Sequence, residues 1–273
     1  MEKVIGFIGA GKMGTAILKG VVKSGIIKKD NICIYDIDKS KSEQLAKETG
    51  VAVLNGNDEV IRKADLIILA VVPGIIKQVL EPVKSLFNNN KILVSIAAGV
   101  PISTYMQILG NNAKVVRAMP NRAALVSQSM TLISYKDELF NDEDISFVKS
   151  LFETIGRVEV LDEKLMDAVV ALTSSSPAYV FMMIEAMADA AVLHGIPRKS
   201  AYTMAAQAVL GSAKMLLETG MHPAQLKDEI CTPGGTTIEA VKSLEKNGFR
   251  YAIMEAMDKC TQRAQEIGRK LNS

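Results

Sequence analysis

Tryptophan is absent from the 273 residues of this chain, and histidine, cysteine and aromatic residues are scarce. His194 and His222 are too few for a histidine-rich metal centre, and no Ser-His-Asp spacing accompanies them, so no metal is expected. Cys33, Cys231 and Cys260 lie far apart and form no Cys-x-x-Cys, which reads as reduced thiols in a cytoplasmic protein. A formal charge of +2 gives no electrostatic reason to expect nucleic acid or an anionic membrane as partner. The longest apolar runs, Leu66–Val72 and Ile75–Ile76, are broken by Pro73 and Gly74. They stay short of the ~18 uninterrupted apolar residues of a membrane span. The chain enters its first apolar strand directly after Lys3, with no signal-peptide-like stretch between. Internal repeats and low-complexity segments are missing too.

Apolar side chains are plentiful. Hydrophobic residues make up 48% of the chain, with a mean hydropathy of +0.18. With no membrane span to absorb them, the surplus is expected between subunits.

Val4-Ile5-Gly6-Phe7-Ile8 reads as a short strand. It leads into Gly9-Ala10-Gly11-Lys12-Met13-Gly14, a Gly-x-Gly-x-x-Gly turn, and then a helical stretch to about Ser24. That order suits a dinucleotide: one glycine for the tight turn, one for approach of a pyrophosphate, one for helix–strand packing. A second strand, Ile32–Tyr35, ends at Asp36, about 20 residues on, where an acid can hold a ribose 2′-hydroxyl. Further apolar strands at Asp65–Val71, Lys91–Ala97 and Lys114–Met119 alternate with helical patterns. This predicts an α/β architecture with a doubly wound, Rossmann-type parallel sheet. Thr131–Tyr135 and Arg157–Leu161 read as added edge strands.

From Glu163 onward every segment has helical spacing, starting with Leu165–Leu172. Two domains follow, a dinucleotide-binding domain over 1–161 and a helical one over 162–273. Helices apolar on several faces, as Ala178–His194 and Ser200–Thr219 are, belong inside something. A homodimer packed through this domain is therefore expected.

The run Thr232-Pro233-Gly234-Gly235-Thr236-Thr237-Ile238-Glu239 stands apart. Thr236 and Glu239 have the spacing of a capping box, and glycine before it lets a ligand approach the main chain. Free N–H groups at a positive helix end make a seat for a carboxylate. A plain loop with a good cap is the other reading.

Taken together, the chain resembles the pyrroline-5-carboxylate reductase family along nearly its whole length. The resemblance rests on the glycine turn, Ala118-Met119-Pro120-Asn121, Ser174-Ser175-Ser176-Pro177-Ala178-Tyr179, Gln207-Ala208-Val209-Leu210-Gly211-Ser212-Ala213-Lys214-Met215, and His222-Pro223 through Glu239. It implies reduction of the cyclic imine 1-pyrroline-5-carboxylate to proline with NADP(H), NAD(H) being possible. It assigns the substrate carboxylate to Thr232 and the N–H groups of Gly235, Thr236 and Thr237. Thr237 would be the donor to the imine nitrogen, and Glu163 and Glu229 would line the site. For the cofactor it implies Gly9 to Gly14, Asp36, Asn57 near the adenosine, the run Ala70-Val71-Val72-Pro73, the turn Ala97-Ala98-Gly99 near the nicotinamide, and Asn121. It also allows a higher assembly of dimers.

This chain departs from the family's common pattern at three places. Val72 stands where Ala-Val-Lys-Pro has lysine. Arg122 follows Asn121 where threonine is usual, and Thr173 to Ser176 replace Ser-Gly-Ser-Gly. Arg122 could supply the cation that Val72 lacks. Asp36 favours NADH, whereas Lys39, Ser40 and Lys41 could meet a 2′-phosphate, so cofactor choice stays open. A related imine reductase or β-hydroxyacid dehydrogenase is the alternative enzyme, although the helix after Pro177 lacks the Lys and Asn such dehydrogenases need. A dinucleotide-sensing module without catalysis would leave Thr232–Thr237 unexplained.

Overall fold

The structure, a computed structural model, describes the backbone of residues 3–271 and the side chains of residues 3–266. The chain separates into two compact units. The first runs to Val170 and takes in the chain from Gln262, and the second is Ala171–Thr261.

The first unit is built on one eight-stranded sheet. Its strands are β1 (Ile5–Ile8), β2 (Ile32–Tyr35), β3 (Ala52–Val53), β4 (Leu66–Leu69), β5 (Ile92–Ser95), β6 (Lys114–Met119), β7 (Ser129–Ser134) and β8 (Gly156–Val160). Their order is β3-β2-β1-β4-β5-β6-β7-β8, parallel throughout except between β6 and β7. The helices are α1 (Lys12–Ser24), α2 (Lys39–Thr49), α3 (Asn57–Lys63), α4 (Ile76–Leu80), α5 (Ile102–Leu109) and α6 (Asp142–Glu153).

Alternation along the strands explains the two-sided core. Ile32 and Ile34 point to one face and Cys33 to the other; Leu66 and Ile68 likewise oppose Ile67 and Leu69. One face is covered by α1 and α6 through Ile17, Leu18, Val148 and Phe152. The opposite face is covered by α3, α4 and α5 through Val60, Ile61, Leu80 and Tyr105. Each fully buried Ile, Leu or Phe contributes roughly 1.5–3 kcal/mol, so this unit closes on its own side chains. Burial pushes the Cys33 thiol up to about 11, against a smaller opposite pull from Lys63.

Two expectations change here. Thr131–Tyr135 corresponds to β7, which lies between β6 and β8 and is almost wholly buried, so it is no edge strand. A continuous helix over Leu165–Leu172 does not form. A 3-10 turn at Glu163–Leu165 is followed by a π-helical turn at Val170–Ser174.

The second unit contains α7 (Ser176–Leu193), α8 (Arg198–Thr219), α9 (Pro223–Ile230), α10 (Thr236–Lys246) and most of α11 (Phe249–Leu271). From α7 to Thr261 the only buried residues are Ala188, Ala201 and Ala205. Large apolar side chains stand in the open: Phe181 is 67% exposed, Met204 60% and Leu193 86%. The helical stretch Val170–Leu193 is long and apolar enough to cross a membrane by length and composition alone. It is interrupted by Glu185 and Asp189, both exposed, and Asp189 pairs with Arg198 of α8.

Candidate active site

Six of the sequence-predicted segments leave the sheet at one edge, the carboxyl ends of parallel strands. The glycine turn follows β1, Asp36 follows β2 and Asn57 opens α3. Ala70–Pro73 follows β4, Ala97–Gly99 follows β5 and Asn121 follows β6. The chain leaves β1 toward β2 on one side, while β4 flanks β1 on the other. Such a reversal of strand order opens the crevice in which open α/β sheets take their ligands.

The three glycines do different things. Gly9 has φ +103°, and a Cβ there would lie 2.5 Å from the Ala70 carbonyl oxygen. A Cβ on Gly14 would lie 2.7 Å from the Gly9 oxygen and 2.9 Å from the Ala70 Cβ. Gly11 has nothing closer than 4.0 Å, so its main chain faces open space at the N-terminus of α1. The first turn of α1, Lys12, Met13 and Gly14, presents helix-end N–H groups there, suited to a pyrophosphate.

Asp36 accepts from Ala10 N–H at 2.6 Å and from Asp38 N–H at 2.8 Å. Its carboxylate therefore braces the glycine turn, in addition to any contact with a ribose. Lys41 lies 3.3 Å from Asp38, the N-cap of α2. Asn57 Oδ1 is buried without a hydrogen-bond partner among the described residues. An orphaned polar atom of this kind costs stability unless a ligand completes it, and it sits where a dinucleotide is expected. The residues present thus fit such a cofactor. Asn121 is buried; its side chain accepts from Ala123 N–H at 3.2 Å and its own N–H donates to Ser129 Oγ at 3.1 Å. It caps a 3-10 turn over Arg122–Val126.

In the helical unit, Thr232–Thr237 forms the turn that opens α10. Gly234 has φ +68°, and a Cβ on Gly235 would fall 2.3 Å from Thr232 Oγ1. The capping box does not form. Gly235 is the N-cap, Thr236 is the first helical residue, and no side chain caps the end. The helix starts one residue earlier than a Thr236 cap requires, so Glu239 moves out of reach and lies 3.4 Å from Lys242. A second correction concerns Gly235, whose N–H donates to the Thr232 carbonyl at 3.0 Å and is not free for a substrate. The first-turn N–H groups of Thr236, Thr237 and Ile238 remain as donors. Thr237 also lines a mostly apolar cavity of ≈ 310 Å³ with Ser212, Met215, Leu216, Leu226 and Ile230.

Comparison with known proteins decides the family. Residues 163–267 match the family described as pyrroline-5-carboxylate reductase dimerisation, and residues 4–99 that described as NADP oxidoreductase, coenzyme F420-dependent. Pyrroline-5-carboxylate reductase of Escherichia coli strain K12 is 48% identical over 98% of this chain and 100% of its own. That of Methanosarcina acetivorans is 46% identical over 97% of this chain and 98% of its own. This chain belongs to the pyrroline-5-carboxylate reductase family. A solved member, from Coxiella burnetii, superposes with a TM-score of 0.92 at 30% identity, covering 97% of this chain and 98% of that one. The Plasmodium falciparum pyrroline carboxylate reductase, solved with NADP bound, gives 0.84 at 33% identity over 98% and 99%.

Within this family frame, Val72 is 65% exposed after β4, and Arg122 is exposed after β6. Glu229 is exposed in the last turn of α9. Glu163, expected to line a substrate site, makes structural contacts through one of its carboxylate oxygens. Its Oε1 accepts from Ile102 N–H at 2.7 Å and lies 3.6 Å from Arg117 Nη1. Sequence reasoning overlooked Arg117 altogether. It sits on β6 with its side chain 7% exposed and donates to Asp167 at 2.7 Å. The signal was a lone arginine inside the apolar run Lys114–Met119.

Proposed function

We propose that this chain is a pyrroline-5-carboxylate reductase, converting 1-pyrroline-5-carboxylate to proline at the expense of NADPH. The nicotinamide, when bound, supplies the hydride. The observation that carries the reading is the identity of 46–48% to named reductases along essentially the full chain, over both units.

The residues support it chemically. A cyclic imine becomes electrophilic as its nitrogen takes a hydrogen bond and then the proton that balances the incoming hydride, so a positioned donor is sufficient and no metal is demanded. Free N–H groups of Thr236 and Thr237 at the positive end of α10 suit the substrate carboxylate, with the Thr232 hydroxyl packed against the same turn. The Thr237 hydroxyl is our candidate donor to the ring nitrogen. Gly9 to Gly14, Asn57, Ala70–Pro73 and Ala97–Gly99 would hold the dinucleotide. Rate then comes mainly from orientation in a water-poor site.

NADPH is favoured by the match to an NADP oxidoreductase family and by the relative solved with NADP. Asp36 at the end of β2 argues for NADH as a second donor.

We further read the exposed apolar helices as the surface of a homodimer, in line with the dimerisation family matched by residues 163–267. Glu185 and Asp189 within the most apolar stretch favour a second copy of the chain over lipid. The dimer, or a larger assembly of dimers, would work in the cytoplasm. The deciding assay follows oxidation of NADPH and of NADH, each with and without pyrroline-5-carboxylate. Absence of imine-dependent oxidation with both cofactors would refute the reading.

A further inference from the structure

Helix α5 starts without a side-chain cap of its own. Its N-cap is Pro101, which has no side-chain acceptor to offer the first turn. The missing acceptor comes from 61 residues away: Glu163 Oε1 takes the Ile102 N–H at 2.7 Å. A carboxylate at this positive helix end is favoured by charge as well as by the hydrogen bond. The carboxylate is itself steadied by Arg117, whose other nitrogen is bound to Asp167. All four residues belong to the first unit.

The chain just before α5 is tied down at its other end as well. Ala97 N–H donates to Ser95 Oγ at 3.2 Å, and Ser95 Oγ lies 2.5 Å from the hydroxyl of the fully buried Tyr105. Ser95 and Arg117 are directly paired across β5 and β6. Two polar clamps therefore hold the span from Ala97 to Ile102. Between them lies Ala97-Ala98-Gly99, with Ala98 exposed and Gly99 at φ +74°.

We propose that Glu163 and Arg117 are positioning residues that fix the Ala97–Gly99 turn against the nicotinamide end of the cofactor, and that Glu163 is not a substrate ligand. This rests on the reductase reading above. It deepens that reading by separating the two ends of the dinucleotide. Adenosine and pyrophosphate would depend on the glycine turn, and the nicotinamide on a loop braced from the chain's far side.

The test uses the full-length enzyme and two variants, Glu163→Ala and Glu163→Gln. The alanine removes the acceptor. The glutamine keeps a carbonyl oxygen for Ile102 N–H and removes the charge. Affinity is read for NADPH, by its fluorescence, and for 2′,5′-ADP, which carries only the adenosine end; kcat and both KM values are read in parallel. Glu163→Ala should lower kcat and NADPH affinity roughly tenfold while leaving 2′,5′-ADP affinity unchanged. Glu163→Gln should recover most of both and leave the imine KM near its starting value. Equal weakening of NADPH and 2′,5′-ADP would mean general destabilisation and overturn the proposal. A large rise in imine KM for the glutamine variant would overturn it in favour of a substrate role. If the alanine variant does not fold, the glutamine variant decides alone, through that same imine KM. Failure of the unmutated protein to bind NADPH would instead sink the reductase reading.

Discussion

The two units of this chain solve the problem of burial in opposite ways. In the sheet-built unit, alternate residues of β1, β2, β4 and β5 enter two cores, and Phe7, Ile17, Ile67 and Tyr105 are completely covered. In the helical unit, from α7 to Thr261, only Ala188, Ala201 and Ala205 are buried. Both halves are rich in apolar residues, so composition does not separate them. The difference is that a sheet closed on both faces is sufficient to itself, whereas helices apolar all round need a partner surface. The proposed cofactor seat lies on the self-sufficient half. The proposed chemistry on the imine sits on the half that needs company.

The strongest way to break this comparison is to charge the exposed face. Phe181→Glu combined with Met204→Glu should turn the protein into a monomer in sedimentation and abolish imine reduction. Dinucleotide binding by the first unit should persist. A fully active monomer would show that the helical unit is stable alone.

Next in size is Thr237→Ala, which alters the helical unit without touching the sheet. Turnover should fall at least tenfold, within the roughly 10²–10⁴ range of a hydrogen-bonding or acid–base group. NADPH affinity should not change, and Thr237→Ser should restore most of the rate. Normal turnover in the alanine variant would hand the proton to solvent.

A smaller effect belongs to the sheet unit alone. Burial would raise the Asp144 carboxyl, but the hydrogen bond and charge of Lys114 at 2.5 Å, helped by Lys3 at 3.4 Å, outweigh it. The carboxyl is held below its ordinary range. A carboxyl depressed in the folded state contributes stability above its unfolded value of about 3.9, and loses it as pH falls through the lower folded value. Asp144→Asn should therefore lower the melting temperature by roughly 2–4 °C at neutral pH. The gap from the parent should close as pH falls below about 4. A gap that persists undiminished in acid would mean that shape, not charge, is at stake.

The smallest expected effect lies at the cofactor edge. Arg122→Ala should weaken NADPH binding several-fold, and adding Val72→Lys should recover part of the loss. Strict additivity in this double-mutant cycle would return Arg122 to the solvent.

What could be read from the sequence follows the range of the forces involved. The glycine turn was legible because Gly9, Gly11 and Gly14 answer a local demand of backbone and space. The helical character of α7 to α11 was legible from period and composition. The interior place of β7 was not, because it depends on the antiparallel pairing of Arg117 with Ser134 and the parallel pairing of Ser129 with Gly156. The cap of helix α5 escaped notice for a related reason, since the group that supplies it lies at Glu163. At the substrate turn the residue types were legible and the register was not. Moving the helix start to Thr236 unmade the capping box and consumed the Gly235 N–H.

Burial of Cys33 also sorts the molecule by reactivity. Its thiol, pushed up to about 11 in the middle of β2, stays protonated at neutral pH and resists alkylation. The remaining cysteines both lie in the helical unit and are only partly covered. Cys260 donates to Ser175 at 3.2 Å, while Cys231 stands directly before Thr232. A thiol reagent is therefore expected to spare Cys33 of the sheet-built unit and to react, if at all, in the helical one. If the turn Thr232–Thr237 seats the imine as proposed, labelling of Cys231 should slow when substrate or proline is added, and an unchanged rate would count against that seat.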